Sequence, residues 1–335
     1  MIPTRCLIIG PSWVGDMMMA QSLLIALKHQ YPSLLIDVLA PKWSLPLLAV
    51  MPEVNQGLEL PFQHGELNLK GRYQLAKQLK TYQYDWSIVL PNSFKSALIP
   101  FWAGIPKRTG FKGELRYGLL NDRRELDKQQ LPMTVQRFVA LAYPPDTHQI
   151  HYSAPHIGLS PTQLAQVQEQ FKLNANQPLL ALCPGAEYGE AKRWPANYFA
   201  TVAEQMIAKG WQVILLGSNK DQAVCEQIVN QVPDTPYLWN LAGKTTLLEA
   251  LTLLALSTKV LSNDSGLMHM AAAVGTPVIA LYGSTDPSFT PPLHPQAQVI
   301  SLNLDCSPCF KRVCPLGHMN CLNQLLPTQV LSYLV

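Results

Sequence analysis

An aspartate near the amino terminus occupies the place where a phosphate-binding loop carries a lysine. The string GPSWVGDM follows an apolar run, and the spacing of Gly10 and Gly15 resembles that of the phosphate-binding loop of nucleotide hydrolases. That loop requires Lys and then Ser or Thr after its second glycine, whereas Asp16 and Met17 stand there in this chain. Because a carboxylate would repel a triphosphate, the string excludes this class of hydrolase.

Asp16 has two interpretations that its neighbours do not separate. An aspartate at the start of a helix accepts hydrogen bonds from backbone N–H groups and so stabilises the helix end. The same carboxylate, if it faces a cleft, can act as a general base that takes the proton of an attacking hydroxyl. Both interpretations stay open on the residues alone.

A second polar segment, CPGAEYGEAKRWP, combines glycines with cations at the end of the apolar run LLALC. Gly185 and Gly189 allow the backbone to approach a ligand closely. Lys192 and Arg193 bring positive charge to the same segment, so it is a candidate diphosphate site. The alternative is an ordinary surface loop with solvated cations.

A third polar segment, NDSGLMH, begins where another apolar run ends. Residues of the types of Asp264 and Ser265 are favoured just before helices, and Gly266 leaves the first turn open, so N–H groups there can bind an anion. The charge of Asp264 opposes phosphate, so its carboxylate would bond a sugar hydroxyl or cap the helix. His269 lies further inside, where a histidine is more often packed or solvated than functional.

Two weaker signals follow other apolar runs. The string GSNKD, with Gly217 and Asp221, is placed to touch the ribose of a nucleotide. The string LAGKTT, residues 241–246, is placed to line a base pocket. Ordinary loop chemistry would explain both strings equally well.

Four cysteines lie within 16 residues near the carboxyl terminus, with His318 among them. Their spacing, Cys306-x-x-Cys309 followed by Cys314 and Cys321, is the most metal-like in the chain. Zinc sites usually contain a second close pair, which is missing here, so we expect thiols without a metal and assign them no catalytic role. Metal binding by these cysteines is a question that the sequence leaves open.

An alternation of strands and helices positions these segments. Continuous apolar runs predict buried strands at Arg5–Ile9, Leu34–Ala40, Trp86–Leu90, Leu179–Cys183, Gln212–Leu216, Lys259–Ser262 and Val278–Tyr282. Helical periodicity lies between them, at Asp16–Tyr31, Gly71–Tyr82, Pro195–Lys209, Leu247–Leu256 and Ser265–Val274. This order predicts parallel sheets covered by helices, with ligands at the carboxyl ends of the strands.

Length and composition predict two domains. The chain has 335 residues, more than one domain usually holds, and 48% of them are hydrophobic, enough for two cores. The Pro-rich segment 143–160 lacks helical periodicity and is the linker candidate. We therefore expect an α/β fold with two Rossmann-like domains, residues 1–155 and 156–335, whose mostly parallel sheets face across a cleft.

Charge and hydropathy indicate which partners and which cellular location to expect for the protein. A net charge of +3 is too small to indicate nucleic-acid binding by itself. No run reaches the ~18 apolar residues of a membrane span, and the apolar start lacks a signal-peptide cleavage site. A cytoplasmic protein with mostly reduced thiols is therefore expected.

Taken together, these segments resemble the ADP-heptose–lipopolysaccharide heptosyltransferases. Within that family, PSWVGDMMM and PNSFKSA are most similar to the members that add the second heptose, heptosyltransferase II. The resemblance extends from residue 10 to beyond residue 280, over the strings GPSWVGDMMMAQSL, LPNSFKSALIPFWAGIPKRTGF, RYGLLND, CPGAEYGEAKRWP, LAGKTTL and NDSGLMHMAAAVGTPVIALYGSTDP.

The resemblance implies a GT-B architecture, with the acceptor mostly on the first domain and the donor mostly on the second. It implies an inverting transfer of L-glycero-D-manno-heptose from ADP-heptose, with no cofactor or metal required. It also implies that Asp16 is the catalytic base and that Lys192 contacts the donor phosphates.

The resemblance further implies which residues bind the donor. Asp264, Ser265, Gly266 and His269 fall on the family's donor-binding string. Glu187 and Tyr188 depart from the family, whose other members carry small hydroxyl residues there. We nevertheless expect both to contact the donor, together with Gly185, Gly217 and Asp221.

The implied acceptor is the heptosyl-Kdo2-lipid A inner core, whose phosphates and carboxylates suit cations. Residues 93–128 contain eight of the 25 Lys and Arg residues against four acids. We expect acceptor contacts from Lys95, Arg108, Lys112 and Arg116, and peripheral contact with the cytoplasmic face of the inner membrane. The alternative is a solvated basic face.

Three other functions remain open at this point. A heptosyltransferase could act at another core position, which product analysis would reveal. A nucleotide-sugar epimerase or hydrolase would turn over the donor without an acceptor. A non-catalytic binding module would bind ADP and tolerate the loss of Asp16.

Overall fold

A computed structural model describes residues 2–63, 65–145, 147 and 149–334 of the chain. It divides into two compact units, and the boundary falls between Pro155 and His156. The linker candidate, residues 143–160, contains this boundary, and its described residues form neither helix nor strand. Asp146 and His148 of that segment lie outside the described residues.

The first unit contains, in its described part, a parallel sheet of six strands. They are β1 (Arg5–Ile9), β2 (Leu35–Ala40), β3 (Gln56–Glu59), β4 (Trp86–Val89), β5 (Lys107–Phe111) and β6 (Asp122–Arg124). Their order is β3-β2-β1-β4-β5-β6, and Cys6 on β1 pairs with Ile36 on one side and Trp86 on the other. This order is that of a Rossmann fold, with its switch point between β1 and β4.

Helices connect these strands and cover the sheet. They are α1 (Val14–Gln30), α2 (Leu45–Leu48), α3 (Leu69–Leu79), α4 (Phe94–Trp102) and α5 (Thr134–Ala140). Helix α1 is buried on most of its surface, including Met17, Met18 and Met19, and it packs against α5. An all-round apolar helix of this kind is typical of a central position in a domain.

The second unit repeats the same topology in its described residues. Its six strands are β7 (Leu179–Cys183), β8 (Gln212–Leu215), β9 (Leu238–Asn240), β10 (Lys259–Asn263), β11 (Val278–Leu281) and β12 (Gln298–Ile300). They are parallel, in the order β12-β11-β10-β7-β8-β9. The switch point of this sheet lies between β7 and β10, where Ser262 pairs with Cys183.

The helices of the second unit include the two that follow its switch-point strands. They are α6 (Pro161–Gln170), α7 (Ala196–Ala208), α8 (Gln222–Val229), α9 (Leu247–Leu256), α10 (Gly266–Ala273), α11 (Asn320–Asn323) and α12 (Pro327–Leu331). The fully buried Trp194 and Phe199 pack edge to face against each other in the core of this unit. The loop before α7 is therefore anchored to the core at its carboxyl end.

The predicted central strands are confirmed, and the strands that sequence reasoning missed are mostly at sheet edges. β1, β2, β4, β7, β8, β10 and β11 coincide with the predicted apolar runs. The missed strands β3, β5, β6, β9 and β12 are short or polar, as in the sequence DRR of β6. Edge strands need less apolar surface because one side faces solvent, so their hydrophobic signal is weak.

Candidate functional site

Two predicted binding segments lie side by side at the switch point of the second sheet. The segment 184–194 leaves β7, and the segment 264–269 leaves β10, the neighbouring strand. Buried Asn263 joins them, because its Nδ2 donates to Pro184 O at 2.8 Å and its Oδ1 accepts from Trp194 N at 3.1 Å. The structure thus brings together two strings that are far apart in the sequence.

An ion pair occupies the centre of this region. Lys192 Nζ lies 2.6 Å from Asp264 Oδ2, and the two side chains are 13% and 5% exposed. The hydroxyl of Thr285, in the loop after β11, donates to the same carboxylate oxygen. The sequence suggested that the charge of Asp264 opposes phosphate, but the adjacent ammonium offsets that charge and is itself held in place by it.

His269 lies buried in α10 close to this ion pair. Burial lowers the pKa of His269 to about 4; the nearby Lys192 charge acts in the same direction and Asp264 acts against it. The imidazole is therefore neutral near pH 7, where it can donate or accept one hydrogen bond but cannot act as a cation. The structure therefore shows the packed histidine, and its contact with the donor stays a prediction.

The amino terminus of α10 has the geometry of an anion-binding helix start. Ser265 is its N-cap residue in extended conformation, and Gly266 is the first helical residue. Within the described contacts the Ser265 side chain does not cap the helix; its Oγ lies 3.1 Å from Ser262 Oγ. Backbone N–H groups of the first turn therefore point out of the helix end beside Lys192 and carry the positive end of its dipole.

Gly185, Gly217 and Asp221 meet in one place through contacts with one another, and their predicted contact with the donor stays a prediction. A Cβ atom at Gly185 would lie 2.4 Å from Asp221 Cγ, and one at Gly217 would lie 2.7 Å from Asp221 Cβ. Asp221 Oδ2 accepts hydrogen bonds from both N and Oγ of Ser218. These contacts make Asp221 the residue that fixes the loop after β8, and both glycines give it room.

Glu187 and Tyr188 contact other parts of the protein. Glu187 forms an exposed ion pair with Lys220. Tyr188 donates its hydroxyl to Phe310 O at 2.7 Å, and Lys192 Nζ lies 4.8 Å from the centre of its ring. Phe310 belongs to the cysteine-rich segment, residues 306–321, so Tyr188 braces Lys192 from the side of that segment, and Glu187 lies at the protein surface.

In the first unit, Asp16 lies at the switch point of the sheet. It is the third residue of α1, the helix that leaves β1, and it is partly exposed. Gly10 allows the preceding loop to pass close to β2, since a Cβ there would be 3.0 Å from Met17 Cε and 3.2 Å from Ala40 Cβ. The predicted position of the carboxylate, at a strand end and a helix start, is confirmed.

Two of the predicted acceptor cations hold the backbone together. Arg116 is only 2% exposed and donates to Pro91 O at 2.8 Å, to Asn92 Oδ1 at 3.0 Å and to Phe111 O. It thereby ties the loop after β5 to the loop after β4. The acceptor role expected of Arg116 is therefore corrected to a structural one, because its guanidinium is buried among these oxygens.

Arg108 is used in a similar way, whereas two lysines remain at the surface. The guanidinium of Arg108 donates to Leu119 O and Ile105 O, both at 2.6 Å. Lys112 is exposed and pairs with the more exposed Glu125, and Lys95 is partly exposed in the first turn of α4. The cationic surface available to a ligand is thus smaller than the composition of the segment suggests.

The chain is similar to known proteins over most of its length. A sequence model of glycosyltransferase family 9 (heptosyltransferase) matches residues 72–320. The chain belongs to this family. It is a glycosyltransferase, and the activity class predicted from its strings is confirmed.

Relatives in this family match almost the whole chain. Lipopolysaccharide heptosyltransferase 2 of Escherichia coli K12 is 45% identical over 98% of this chain and 97% of its own length. Lipooligosaccharide heptosyltransferase 2 of Haemophilus influenzae is 51% identical over 88% of each. The solved structure of E. coli ADP-heptose lps heptosyltransferase II, 43% identical, superposes with a TM-score of 0.89 over 98% of this chain and 97% of that one. The predicted GT-B fold is confirmed.

Sequence reasoning missed three residues of this heptosyltransferase that organise the site. Asn263 opens the string NDSGLMH, but its bridging contacts depend on the neighbouring strand. Thr285 follows β11 in the string GSTDP, where a polar residue after an apolar run was the available signal. Arg312 lies with its guanidinium carbon 5.4 Å from the centre of the Tyr188 ring, and nothing local predicts that contact.

No helix among the described residues of this heptosyltransferase is both long and apolar enough to cross a membrane.

Proposed function

We propose that this enzyme transfers L-glycero-D-manno-heptose from ADP-heptose to the heptosyl-Kdo2-lipid A inner core of lipopolysaccharide, with inversion at the anomeric carbon. Family membership and the relatives named heptosyltransferase 2 support the reaction and the second-heptose position. The observation that carries the proposed mechanism is the Lys192–Asp264 ion pair beside the open start of α10.

The donor diphosphate is proposed to bind at that helix start. Two features there favour negative charge: the ammonium of Lys192 and the N–H groups that follow Ser265. As the bond between the sugar and the diphosphate breaks, negative charge grows on the leaving phosphate. A hydrogen-bond donor that is already positioned for that charge stabilises the transition state by about 3–4 kcal/mol.

Asp264 positions Lys192 in this mechanism. Its carboxylate contacts the ammonium and also accepts a hydrogen bond from Thr285. The carboxylate is therefore held in place and in turn fixes the position of Lys192 Nζ. A lysine ammonium has three donors, so pairing with Asp264 leaves hydrogen-bonding capacity for a phosphate. His269, kept neutral by burial, would supply a further hydrogen bond to the donor.

Asp16 is proposed as the general base. It lies at the carboxyl edge of the first sheet, where ligands of open α/β sheets bind. A carboxylate there can take the proton of the acceptor hydroxyl as it attacks, which contributes about 10²–10⁴-fold. Because the leaving charge is met by Lys192 and backbone N–H groups, we propose that no cofactor takes part in the transfer itself.

The acceptor is proposed to meet two lysines of the first unit, Lys112, which is exposed, and Lys95, which is partly exposed. Phe94 and Phe101 are 38% and 41% exposed in the same region. Cations beside exposed aromatic rings suit an anionic lipid surface, so we propose peripheral contact with the cytoplasmic face of the inner membrane. Salt-sensitive binding to anionic liposomes is expected, and no binding at low salt would contradict this contact.

The proposed reaction is tested by incubating the enzyme with ADP-heptose and a truncated heptosyl-Kdo2 acceptor, followed by mass spectrometry. We expect ADP release and an acceptor heavier by one heptose. Fragmentation of the product shows whether the new sugar is attached to the first heptose or elsewhere in the core. Release of ADP at the same rate without acceptor would contradict a transferase and indicate a hydrolase or epimerase instead.

A further inference from the structure

The cysteine-rich segment encloses a small cavity in the second unit. The cavity volume is about 20 Å³, which is room for one atom-sized occupant. The sulfur-bearing residues that line it include Cys306, Cys309, Cys314 and Cys321. All four have reduced thiols. The fold therefore brings four cysteines from a stretch of 16 residues around one small cavity. Cysteine is a residue that binds soft metals.

The backbone turns tightly after Cys314. Gly317 N donates to Cys314 O at 3.2 Å, and Gly317 adopts a left-handed φ of 73°, which glycine tolerates. This turn keeps the chain close to Cys314, so that Leu316, His318 and Met319 line the cavity together with it.

The four thiols share one space. Cys306, Cys309, Cys314 and Cys321 all line the same small cavity. Several thiolates gathered in one place repel each other unless a cation balances them. The cysteines outside this segment differ, because Cys6, Cys183 and Cys225 are buried in the cores and do not line this cavity.

The segment is anchored to the core by bonds that do not involve the thiols. Phe310 N donates to Ser284 O at 2.7 Å, and the Ser307 hydroxyl donates to Gly283 O. Buried Leu322 packs so closely on Gly283 that a Cβ there would be 2.7 Å from its Cγ. These contacts tie the segment that carries the cysteines to the loop after β11.

We propose that Cys306, Cys309, Cys314 and Cys321 bind one tetrahedral, thiolate-preferring metal ion, Zn²⁺ or iron. A four-cysteine set is the donor chemistry of such structural sites. Each ligating thiol gives up its proton to solvent as its metal–sulfur bond forms. His318 also lines the cavity, but its Nδ1 already accepts from Asn320 N at 3.0 Å.

Metal binding would require the four sulfur atoms to move closer together. Among the described residues, no three His, Cys, Asp or Glu side chains are already gathered as a metal would hold them. Cys306 is exposed and the other three are partly exposed, so the proposal requires their side chains to rotate towards the cavity as the metal binds. This assignment replaces the sequence-based expectation of thiols without a metal.

The position of this site connects it with the donor site. The cavity wall includes Ala191 and Ser284, which immediately precede Lys192 and Thr285. Ala191 N also donates to Arg312 O, within the cysteine-rich segment, at 3.0 Å. A metal ion that fixes the segment would therefore fix the two loops that hold the Lys192–Asp264 pair. This second step rests on the proposed function; the metal site itself does not.

Metal content is the direct test. The full-length protein is purified under reducing conditions without chelator, and its zinc and iron are measured by plasma mass spectrometry. We expect about one equivalent of one of these metals per chain. Cys309→Ala and Cys321→Ala should lose it, and the matched control Cys6→Ala should retain it. The metal found distinguishes zinc from iron, and retention in both ligand variants would overturn the proposal.

A second measurement does not depend on any variant folding. Wild-type protein stripped by chelation under anaerobic conditions is titrated with Co²⁺, which gives thiolate-to-cobalt charge-transfer absorption when bound by cysteines. We expect saturation at about one equivalent, displacement by Zn²⁺, and protection of the thiols from a disulfide reagent. Wild type that contains neither metal, and whose stripped form shows no such absorption, would refute the site.

Coupling to the donor site is measured as ADP affinity by calorimetry. Stripped protein should bind ADP roughly tenfold or more weakly than metal-loaded protein, because misplacing a charged group slightly has effects of this size. Equal affinities would refute the coupling. Metal-loaded protein that fails to bind ADP would contradict the proposed function, which separates that failure from failure of the metal site.

Discussion

The substitution Lys192→Met tests the ion pair on which the proposed mechanism depends. It keeps the length and apolar stem of the side chain and removes the charge that lies 2.6 Å from Asp264 Oδ2. Two effects follow, and they are measured separately. The leaving diphosphate loses a cation, and the Asp264 carboxylate, 5% exposed, loses its ion-pair partner.

The effect on catalysis follows from how much one preorganised hydrogen-bond donor stabilises the transition state. Such a donor stabilises the charge of a transition state by about 2.7–4 kcal/mol, or roughly 10²–10³ in kcat. We expect kcat of Lys192→Met to fall by this factor. The KM for ADP-heptose should rise as well, since the ammonium also attracts the phosphates of the bound donor.

The effect on stability follows from the burial of the pair. Removing one partner of a buried ion pair costs about 3–5 kcal/mol, because the other charge is left in a poorly solvated place. Asp264 keeps its hydrogen bond from Thr285, and Lys192 is 13% exposed, so we expect the lower end, about 3 kcal/mol. Denaturant unfolding of both proteins measures this loss.

The double variant Lys192→Met/Asp264→Leu is the matched control. Replacing both charges by apolar groups is often neutral or stabilising, so most of the lost stability should return. Turnover should stay low, because the missing cation is not replaced. Kinetics follow ADP release with a truncated core acceptor. The reasoning is refuted if Lys192→Met turns over at a near-native rate, or if the double variant recovers kcat together with stability.

Three further predictions concern other parts of the molecule. Asp16→Asn should lower kcat by roughly 10²–10⁴-fold with little change in the dissociation constant of ADP, because it removes the base and leaves the donor site intact; kinetics and calorimetry check this, and near-native turnover would contradict it. Arg116→Met should destabilise the protein by about 3 kcal/mol in denaturant unfolding, because three oxygens lose their hydrogen-bond donor. Lys112→Met should leave stability nearly unchanged and raise the KM for the acceptor, and the opposite pattern would restore Arg116 as an acceptor residue. The pKa of His269 falls from 6.5 unfolded to about 4 folded, so the unfolded chain binds the proton first, and stability present above pH 6.5 is lost as the pH falls towards 4. This loss is at most about 3 kcal/mol, and denaturant unfolding of wild type and His269→Gln at pH 7 and pH 4.5 should show a smaller loss in the variant.

Asp264 illustrates how far sequence reasoning reached at the donor site. The string NDSGLMH predicted a strand end followed by a helix start, and the structure has both. The local charge suggested conflict with phosphate, because the balancing Lys192 lies 72 positions earlier. Only the pairing of β7 with β10 reveals that the two side chains are neighbours.

The acceptor cations show the opposite error. Composition treats the arginines and lysines of residues 93–128 alike, yet Arg116 and Arg108 are held by backbone carbonyls and Lys112 is at the surface. The difference depends on which loops approach one another at the end of the first sheet. Charge counts contain no information about that approach, so a basic segment predicted a larger binding surface than exists.

The sequence by itself determined the central strands, the helices that follow them and the polar segments at the strand ends. Local sequence patterns predict these features, because a strand buried on both faces requires a continuous apolar run and a helix start favours particular residues. The tertiary structure decided which polar side chains meet: Lys192 with Asp264, Asp221 with two glycines, and four cysteines around one cavity. Such encounters depend on strand order and loop packing, which bring together residues whose separation along the chain gives no hint of contact.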